Sequence, residues 1–326
     1  MGTPVDPTPA FIQSALKENS NAPGYPITVG SPSLRAAIAQ WAARVLGVNG
    51  EFDFLPSIGS KEVVALLPTA LESKRVLYPA VAYPTYLVSA ILAKAEHQPV
   101  GFNASSWPEA DLVWINSPSN PTGRITPQDE LREVIAYSRR NSAVIASDEC
   151  YFNFAADPQG AQPLSILRVA EGENKNLLAL HSLSKRSNLA GYRAGIVIGD
   201  PALIAKLREI RKHSGMLVPA PVQAAMVAAL GDEVHVHEQA ARYAARRELL
   251  RPALQKIGFT IEHSEAGLYI WCTRGEADFD SVSFLADKGI LATPGSFYGE
   301  AGSRHIRIAL TATDSQISRA AARIIG

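Results

Sequence analysis

Four short apolar stretches each run directly into residues with chemistry to offer. Residues 112–115 lead into Asn116-Ser-Pro-Ser-Asn120-Pro-Thr-Gly123, and residues 143–146 into Ser147-Asp148-Glu149-Cys150-Tyr151. Residues 177–180 lead into His181-Ser182-Leu-Ser-Lys185, with Arg193 eight residues further on, and residues 75–78 lead towards Tyr83. In an open α/β sheet, ligands bind beyond the carboxyl ends of the strands. A lysine, a carboxylate, an asparagine, tyrosines and an arginine would therefore converge on one rim. Each residue also has a plainer reading. Asn120-Pro-Thr-Gly123 could be a turn and Asp148 a helix cap, Lys185 and Arg193 could be solvated loop charges, and Tyr83 could be core.

The elements that must position these residues alternate. The β-branched stretches 75–78, 112–115, 143–146, 177–180 and 195–198 read as strands, and segments 33–46, 61–71, 86–95, 127–140 and 201–217 read as helices. Strand–helix alternation predicts a mainly parallel sheet covered on both faces. One connection is too short for a crossover helix, between His181 and Gly195, so those two strands should run antiparallel. In segment 33–46, Ser33 reads as the N-cap, with Ile38, Trp41, Ala42 and Val45 on one stripe. After Pro221 the pattern changes to long helices at 222–230 and 237–256, then strands at 259–262, 268–272 and 305–309. A helix at 280–288 is stopped by Gly289. The second half thus reads as a smaller α/β domain reached through a long helix.

Composition sets outer bounds. The chain has 326 residues, 47% of them apolar and 19% charged, which suits about two globular domains and excludes wholesale disorder. Lys plus Arg equals Asp plus Glu, 31 against 31. That balance gives no reason to expect nucleic acid or an anionic membrane as partner, and any phosphate site must be local. Cys150 and Cys272 cannot form a disulfide framework and fit no zinc pattern. The opening MGTPVDPTPAF lacks a secretory signal, and no apolar stretch is long enough to span a bilayer. The expected location is cytoplasmic. His235 and His237 read as surface residues rather than metal ligands, Arg242, Arg246 and Arg247 as a solvated helix face, and Cys150 as a packed thiol.

The strongest signature is Ser182-Leu-Ser-Lys185 followed by Gly191-Tyr-Arg193, together with Asn120-Pro-Thr-Gly123, Asp148 and Tyr151 in that order. In these motifs the chain resembles the class I/II aminotransferases, fold type I enzymes that use pyridoxal 5′-phosphate, and the resemblance runs from Gly2 to the C-terminus. The wording Gly30-Ser-Pro-Ser-Leu-Arg35, Asn116 to Gly123 and His181-Ser-Leu-Ser-Lys185 is similar to the actinobacterial N-succinyldiaminopimelate aminotransferases. The implied fold is a large domain with a mainly parallel sheet containing one antiparallel strand, plus a smaller α/β domain. The implied division is 1–22 as the N-terminal part of the small domain, 23–245 as the large cofactor-binding domain and 246–326 as the C-terminal small domain.

The resemblance also implies roles. Lys185 matches the lysine that holds the cofactor aldehyde covalently and later moves the substrate's α-proton, which requires a depressed pKa. Asp148 matches the carboxylate that keeps the pyridine nitrogen protonated. Asn120 and Tyr151 match the pair that hydrogen-bonds the phenolic oxygen, and Tyr83 matches the aromatic residue against the ring. Ser182, Arg193, Ser60 and Lys61 match the phosphate cradle, with Gly59-Ser60-Lys61 opening a helix. Tyr25 matches a tyrosine that reaches the phosphate of the neighbouring subunit, which implies a homodimer with shared sites. Arg307 matches the arginine that grips the substrate α-carboxylate, with Gly2 near it. Arg304 and Arg323 read as outward-facing.

The implied reaction transfers an amino group between glutamate/2-oxoglutarate and an amino or oxo acid, with N-succinyl-LL-2,6-diaminopimelate as the expected partner substrate in lysine and cell-wall precursor synthesis. A carbon–sulfur β-lyase on the same cofactor and a non-catalytic effector domain are the alternatives. A distal carboxylate would need a second cation, for which Arg35, Arg186, Lys212 and His213 are candidates. Relatives carry an N-terminal arm before the segment resembling Gly2-Thr-Pro-Val-Asp6, so the expectation is a start at Met1 that lacks it.

Overall fold

The computed structural model describes residues 2–157 and 159–326; Met1, where the expected arm would join, lies outside them. Seven strands form the large sheet: β1 Asp53–Ile58, β2 Arg75–Pro79, β3 Glu96–Val100, β4 Leu112–Asn116, β5 Val144–Asp148, β6 Leu177–Ser182 and β7 Ala194–Gly199. Their order is β1-β7-β6-β5-β4-β2-β3. β7 runs antiparallel to both β1 and β6, whereas the other neighbours pair in parallel. The short link after His181 thus produced the antiparallel pair that the sequence implies.

Alternation along the strands sorts side chains to two helical layers. Val113 and Ile115 of β4 join the core under helices Pro32–Trp41, Gln128–Asn141 and Ala220–Gly231. Leu112 and Trp114 face helices Ser60–Ala70, Thr85–Leu92 and Pro201–His213. Burying one Leu or Ile side chain contributes about 1.5–3 kcal/mol. A one-residue slip would exchange the two faces of every strand, so the register is strongly set.

Two strands of this sheet escaped the sequence reading, β1 and β3, and they are its two edges. An edge strand needs no continuous apolar run. β3 reads Glu-His-Gln-Pro-Val, with four of its five residues exposed, and β1 accommodates Pro56. The cap of the first large-domain helix is Ser31 rather than Ser33: its hydroxyl accepts the Leu34 N–H at 3.2 Å, because Pro32 opens the helix. That helix ends in a π-helical turn at Ala42–Leu46. The helix expected to reach residue 217 stops at His213, before Gly215 with φ +69°.

The second sheet has the order β10-β11-β9-β8, from β8 Thr260–Ile261, β9 Tyr269–Thr273, β10 Thr293–Pro294 and β11 Ile306–Ala309. Helices Asp278–Ala286 and Asp314–Ile325 accompany it, and the long helix Val234–Lys256 packs along Asp314–Ile325. The expected 245/246 division falls inside this continuous long helix. The N-terminal helix Ala10–Glu18 packs against Ala220–Gly231, with Ile12 in the large-domain core.

The long helix corrects two readings. Arg246 and Arg247 are buried, not solvated; only Arg242 is exposed. Arg246 grips both carboxylate oxygens of Asp6 at 2.7 and 2.8 Å and Asp314 at 2.7 Å. Arg247 donates to the carbonyls of Gly267 and Ala266, and burial lowers its pKa to about 10. His235 is buried as well: Nδ1 meets Asp232 at 2.6 Å and Nε2 meets Ser187 at 2.8 Å. His237 is exposed as expected. These side chains tie the long helix to the chain's N-terminal segment and to the loop after Lys185, contacts that helical periodicity cannot announce. No helix of the described residues is long and apolar enough to cross a membrane.

Candidate active site

A cavity of about 600 Å³ lies at the carboxyl ends of β4, β5 and β6 and reaches the small domain. It brings together Gly2, Ser60, Lys61, Tyr83, Asn120, Asp148, Tyr151, Ser182, Lys185, Arg193 and Arg307. Of the residues expected at the site, only Tyr25 stands outside, 97% exposed on the surface.

Lys185 follows β6 in the short helix Leu183–Arg186, whose start is capped by Ser182 Oγ accepting from the Ser184 N–H at 3.2 Å. Its Nζ donates to the carbonyl oxygen of Gly2. Burial is the main cause that lowers its pKa to about 8; Cys150 opposes the shift, and the charges of Arg307 and Arg193 add to it. About a tenth of this amine is therefore neutral at pH 7, far more than for a free lysine, and the neutral form is what nucleophilic attack requires.

Asp148 ends β5. Its Oδ2 accepts from Tyr86 Oη at 2.8 Å and its Oδ1 from the Cys150 N–H at 3.2 Å. Burial pushes its carboxyl above the usual carboxylate range, while the bonds from Cys150 and Tyr86 favour the anion. Tyr86 in turn stacks on Trp114 with centroids 5.1 Å apart. Such a buried, partly compensated carboxylate suits a cationic partner within the cavity.

At the phosphate end, Arg193 adopts φ +56° and donates to the carbonyls of Ala190 at 2.8 Å and Ile58 at 3.4 Å. Gly59 has φ +68°, and a Cβ there would strike the Arg193 guanidinium. This close approach sets Arg193 beside the N-terminus of helix Ser60–Ala70, where free backbone N–H groups favour anions. Lys61 Nζ lies 5.5 Å from the Tyr83 ring centroid.

On the small-domain side, Arg307 is the second residue of β11 and only 7% exposed. Its guanidinium lies 3.9 Å from the Tyr269 ring centroid and 4.9 Å from that of Tyr298, and Nη1 donates to Asn120 Oδ1 at 2.9 Å. Its Nε is buried without a hydrogen-bond partner among the described residues. Asn120 is held by its N–H donating to Asn116 Oδ1 at 2.7 Å, while Asn116 Nδ2 donates to the Asp148 carbonyl at 2.7 Å. Tyr151 and Tyr269 share a hydroxyl contact of 3.2 Å.

Several participants were not singled out by sequence. Tyr86, Asn116, Tyr269 and Tyr298 line or brace the cavity; Tyr86 carried a faint signal, three residues beyond Tyr83. Cys150 is not simply packed away, because it borders the cavity with its Sγ donating to Ser60 Oγ at 3.0 Å. None of the four candidate cations for a distal carboxylate borders the cavity. Arg35 pairs with Asp53 and Arg186 with Glu233, and Lys212 and His213 are exposed.

The residues present fit pyridoxal 5′-phosphate. A phosphate dianion would find Arg193, Lys61, Ser60 and Ser182, an aldehyde would find a depressed lysine amine, and a protonated ring nitrogen would find Asp148.

Comparison with known proteins agrees. The model of the family "Aminotransferase class I and II" matches residues 3–324. The chain is 52% identical to the 4-dedimethylamino-4-oxo-anhydrotetracycline transaminase of Streptomyces rimosus, covering 99% of this chain and 91% of that protein. It is 34% identical to an LL-diaminopimelate aminotransferase of Dehalococcoides mccartyi, covering 100% and 89%. A solved structure of a probable N-succinyldiaminopimelate aminotransferase from Thermus thermophilus superposes with TM-score 0.91 at 26% identity, covering 100% and 93%.

Proposed function

The chain belongs to the class I and II aminotransferase family, as a pyridoxal 5′-phosphate-dependent transaminase, and from that premise we propose its substrates and the roles of its residues. The proposed reaction exchanges an amino group between glutamate/2-oxoglutarate and N-succinyl-LL-2,6-diaminopimelate with its oxo form. The observation that carries the reaction type is Lys185, a depressed amine sharing one cavity with Asp148 and with Arg193 and Arg307 at separate ends. The diaminopimelate reading draws support from the names of the Dehalococcoides relative and the Thermus structure. The Streptomyces relative has the higher identity and favours a second reading, in which the acceptor is a 4-oxo-anhydrotetracycline.

When bound, pyridoxal 5′-phosphate supplies an aldehyde and an electron-withdrawing ring that acidifies the substrate's α-carbon. Arg193, Lys61, Ser60 and Ser182 would hold the phosphate, Tyr83 would lie against the ring, and Asn120 and Tyr151 would bond its phenolic oxygen. Asp148, when ionised, would favour a proton on the ring nitrogen of the bound cofactor. Arg307 would orient the substrate through hydrogen bonds from its guanidinium to the α-carboxylate. Lys185 Nζ, uncharged for part of the time at neutral pH, takes the proton from the substrate's α-carbon. Tyr25, exposed on the surface, is proposed to complete the phosphate site of a second copy in a homodimer.

With glutamate as sole substrate, one equivalent of 2-oxoglutarate should form per site and then stop. Among amino acceptors and donors compared under the same conditions, N-succinyl-LL-2,6-diaminopimelate should give the largest kcat/KM. A larger value with the 4-oxo-anhydrotetracycline would establish the second reading instead.

A further inference from the structure

Besides the lysine cavity, the molecule has a second, smaller cleft of about 290 Å³ that shares only Asn116 with it. Its walls come from both domains. The large domain contributes Phe102, Trp107 and Arg124, and the small domain contributes Glu262, Trp271 and His305. This volume lies near the lower end of the range for small-molecule pockets, about 300–1,000 Å³.

The lining is aromatic at the centre and charged at two places. Arg124 has a side chain 14% exposed, lies 3.9 Å over the Phe102 ring and spends one N–H group on Glu130 at 2.5 Å. Glu262, its side chain 48% exposed, spends one carboxylate oxygen on His305 Nε2 at 2.9 Å. His305 stacks on Trp271 with centroids 5.0 Å apart and planes 6° from parallel, and its Nδ1 is buried without a partner among the described residues. Trp107 is fixed by Nε1 donating to the Gly101 carbonyl at 2.8 Å and by an edge contact with Tyr137 at 5.4 Å. Glu130, the partner of Arg124, also lines the cleft, so a flat apolar body against the tryptophans, a carboxylate towards the part of Arg124 away from Glu130 and an ammonium towards Glu262 would match this wall.

The cleft also touches the contact that joins the two domains over the active site. Ser119 and Thr122, on either side of Asn120, line it. Trp271 lines it too and is the cross-strand partner of Arg307. A ligand here would brace both flanks of the Asn120–Arg307 hydrogen bond without entering the lysine cavity.

We propose that this interdomain cleft is a second ligand site, which takes a zwitterionic aromatic α-amino acid and favours the arrangement in which Arg307 faces the cavity. Because bracing a binding geometry acts on substrate affinity, the ligand lowers KM for the amino donor and leaves kcat nearly unchanged.

The probe is α-methyl-L-tryptophan, which has no α-proton to lose and cannot be transaminated. Titrated calorimetrically into the holoenzyme, it should bind, and it should still bind when glutamate is saturating. Arg124→Gln and Trp107→Ala should each weaken binding about tenfold or more, whereas Arg307→Lys should leave it within about twofold. Should Trp107→Ala fail to fold, Glu262→Gln, a milder change at the ammonium end, should show the same loss. In steady state the probe should lower KM for glutamate. Absence of binding at millimolar concentration would overturn the proposal. So would competition with glutamate, or binding lost in Arg307→Lys but kept in Arg124→Gln, since either places the probe in the lysine cavity.

Discussion

Lys185 and Arg186 are consecutive cationic residues on one short helix, and the protein treats them in opposite ways. Arg186 points towards the start of the long helix, 3% exposed in its side chain, and meets both carboxylate oxygens of Glu233 at 2.8 and 3.1 Å. Lys185 points into the cavity, where it donates to the Gly2 carbonyl and has Arg307 and Arg193 adding to the burial that depresses its pKa. One cation is neutralised by a partner and stabilises the fold. The other is denied a carboxylate and kept reactive. The same contrast recurs at longer range, since buried Arg246 is held by Asp6 and Asp314. Withholding a counter-charge is thus a local choice at the cavity, made where an uncharged amine is needed.

The contrast can be broken most severely at Lys185. Lys185→Ala should lower transaminase turnover by about 10²–10⁴-fold or more while leaving a folded protein. The check is kcat together with borohydride trapping, and a covalent cofactor adduct persisting at another lysine would reject the assignment.

Breaking the other half should spare chemistry and cost stability. Arg186→Met leaves Glu233 with a charge but without its main partner, at a cost of about 2–3 kcal/mol given that Glu233 keeps some contact with water. Denaturant melts should show that loss, while covalent capture of pyridoxal 5′-phosphate stays within a few-fold. Equal damage to both would mean that the two cations are not functionally separate.

A subtler effect follows from the Lys185 pKa of about 8, below the 10.5 of a free lysine. Below pH 8 both folded and unfolded chains hold the proton, and the burial penalty is fully present. Between pH 8 and 10.5 the unfolded chain binds more protons, so this group's contribution to stability rises with pH; above 10.5 the penalty is gone. Lys185→Met should therefore stabilise the cofactor-free protein below pH 8 by about 2 kcal/mol, with the gap closing as pH approaches 10.5. Melts at pH 7 and pH 10 decide the matter, and a constant gap would show that packing, not charge, is responsible.

The smallest change expected is at Tyr86. Tyr86→Phe keeps the stack on Trp114 but removes the 2.8 Å hydrogen bond to Asp148. The Asp148 pKa, already raised by burial, should rise further, because a bond favouring the anion is lost. The acid limb of the kcat profile should then move to higher pH and kcat should fall about three- to tenfold. An unchanged profile would show that Tyr86 is only a packing residue.

Much of this molecule was readable from its order of residues, because strand ends and motifs are local. The apolar stretches that became β2, β4, β5, β6 and β7 are continuous, since central strands are buried on both faces. The residues at or just beyond their carboxyl ends, Asn120, Asp148 and Lys185, follow from strand position, and the tight link after His181 permitted only an antiparallel return. What the sequence could not announce was decided by partners far along the chain. Arg246 and Arg247 look like a solvated stripe until Asp6, Asp314 and the Gly267 carbonyl arrive, and His235 looks like surface until Ser187 and Asp232 enclose it. Tyr86 and Tyr269 gain their places only when their hydroxyls meet Asp148 and Tyr151. Charge type and strand ends are properties of short segments. Burial and pairing are properties of surfaces brought together only by folding, and they decide whether a lysine is a solvated charge or a nucleophile.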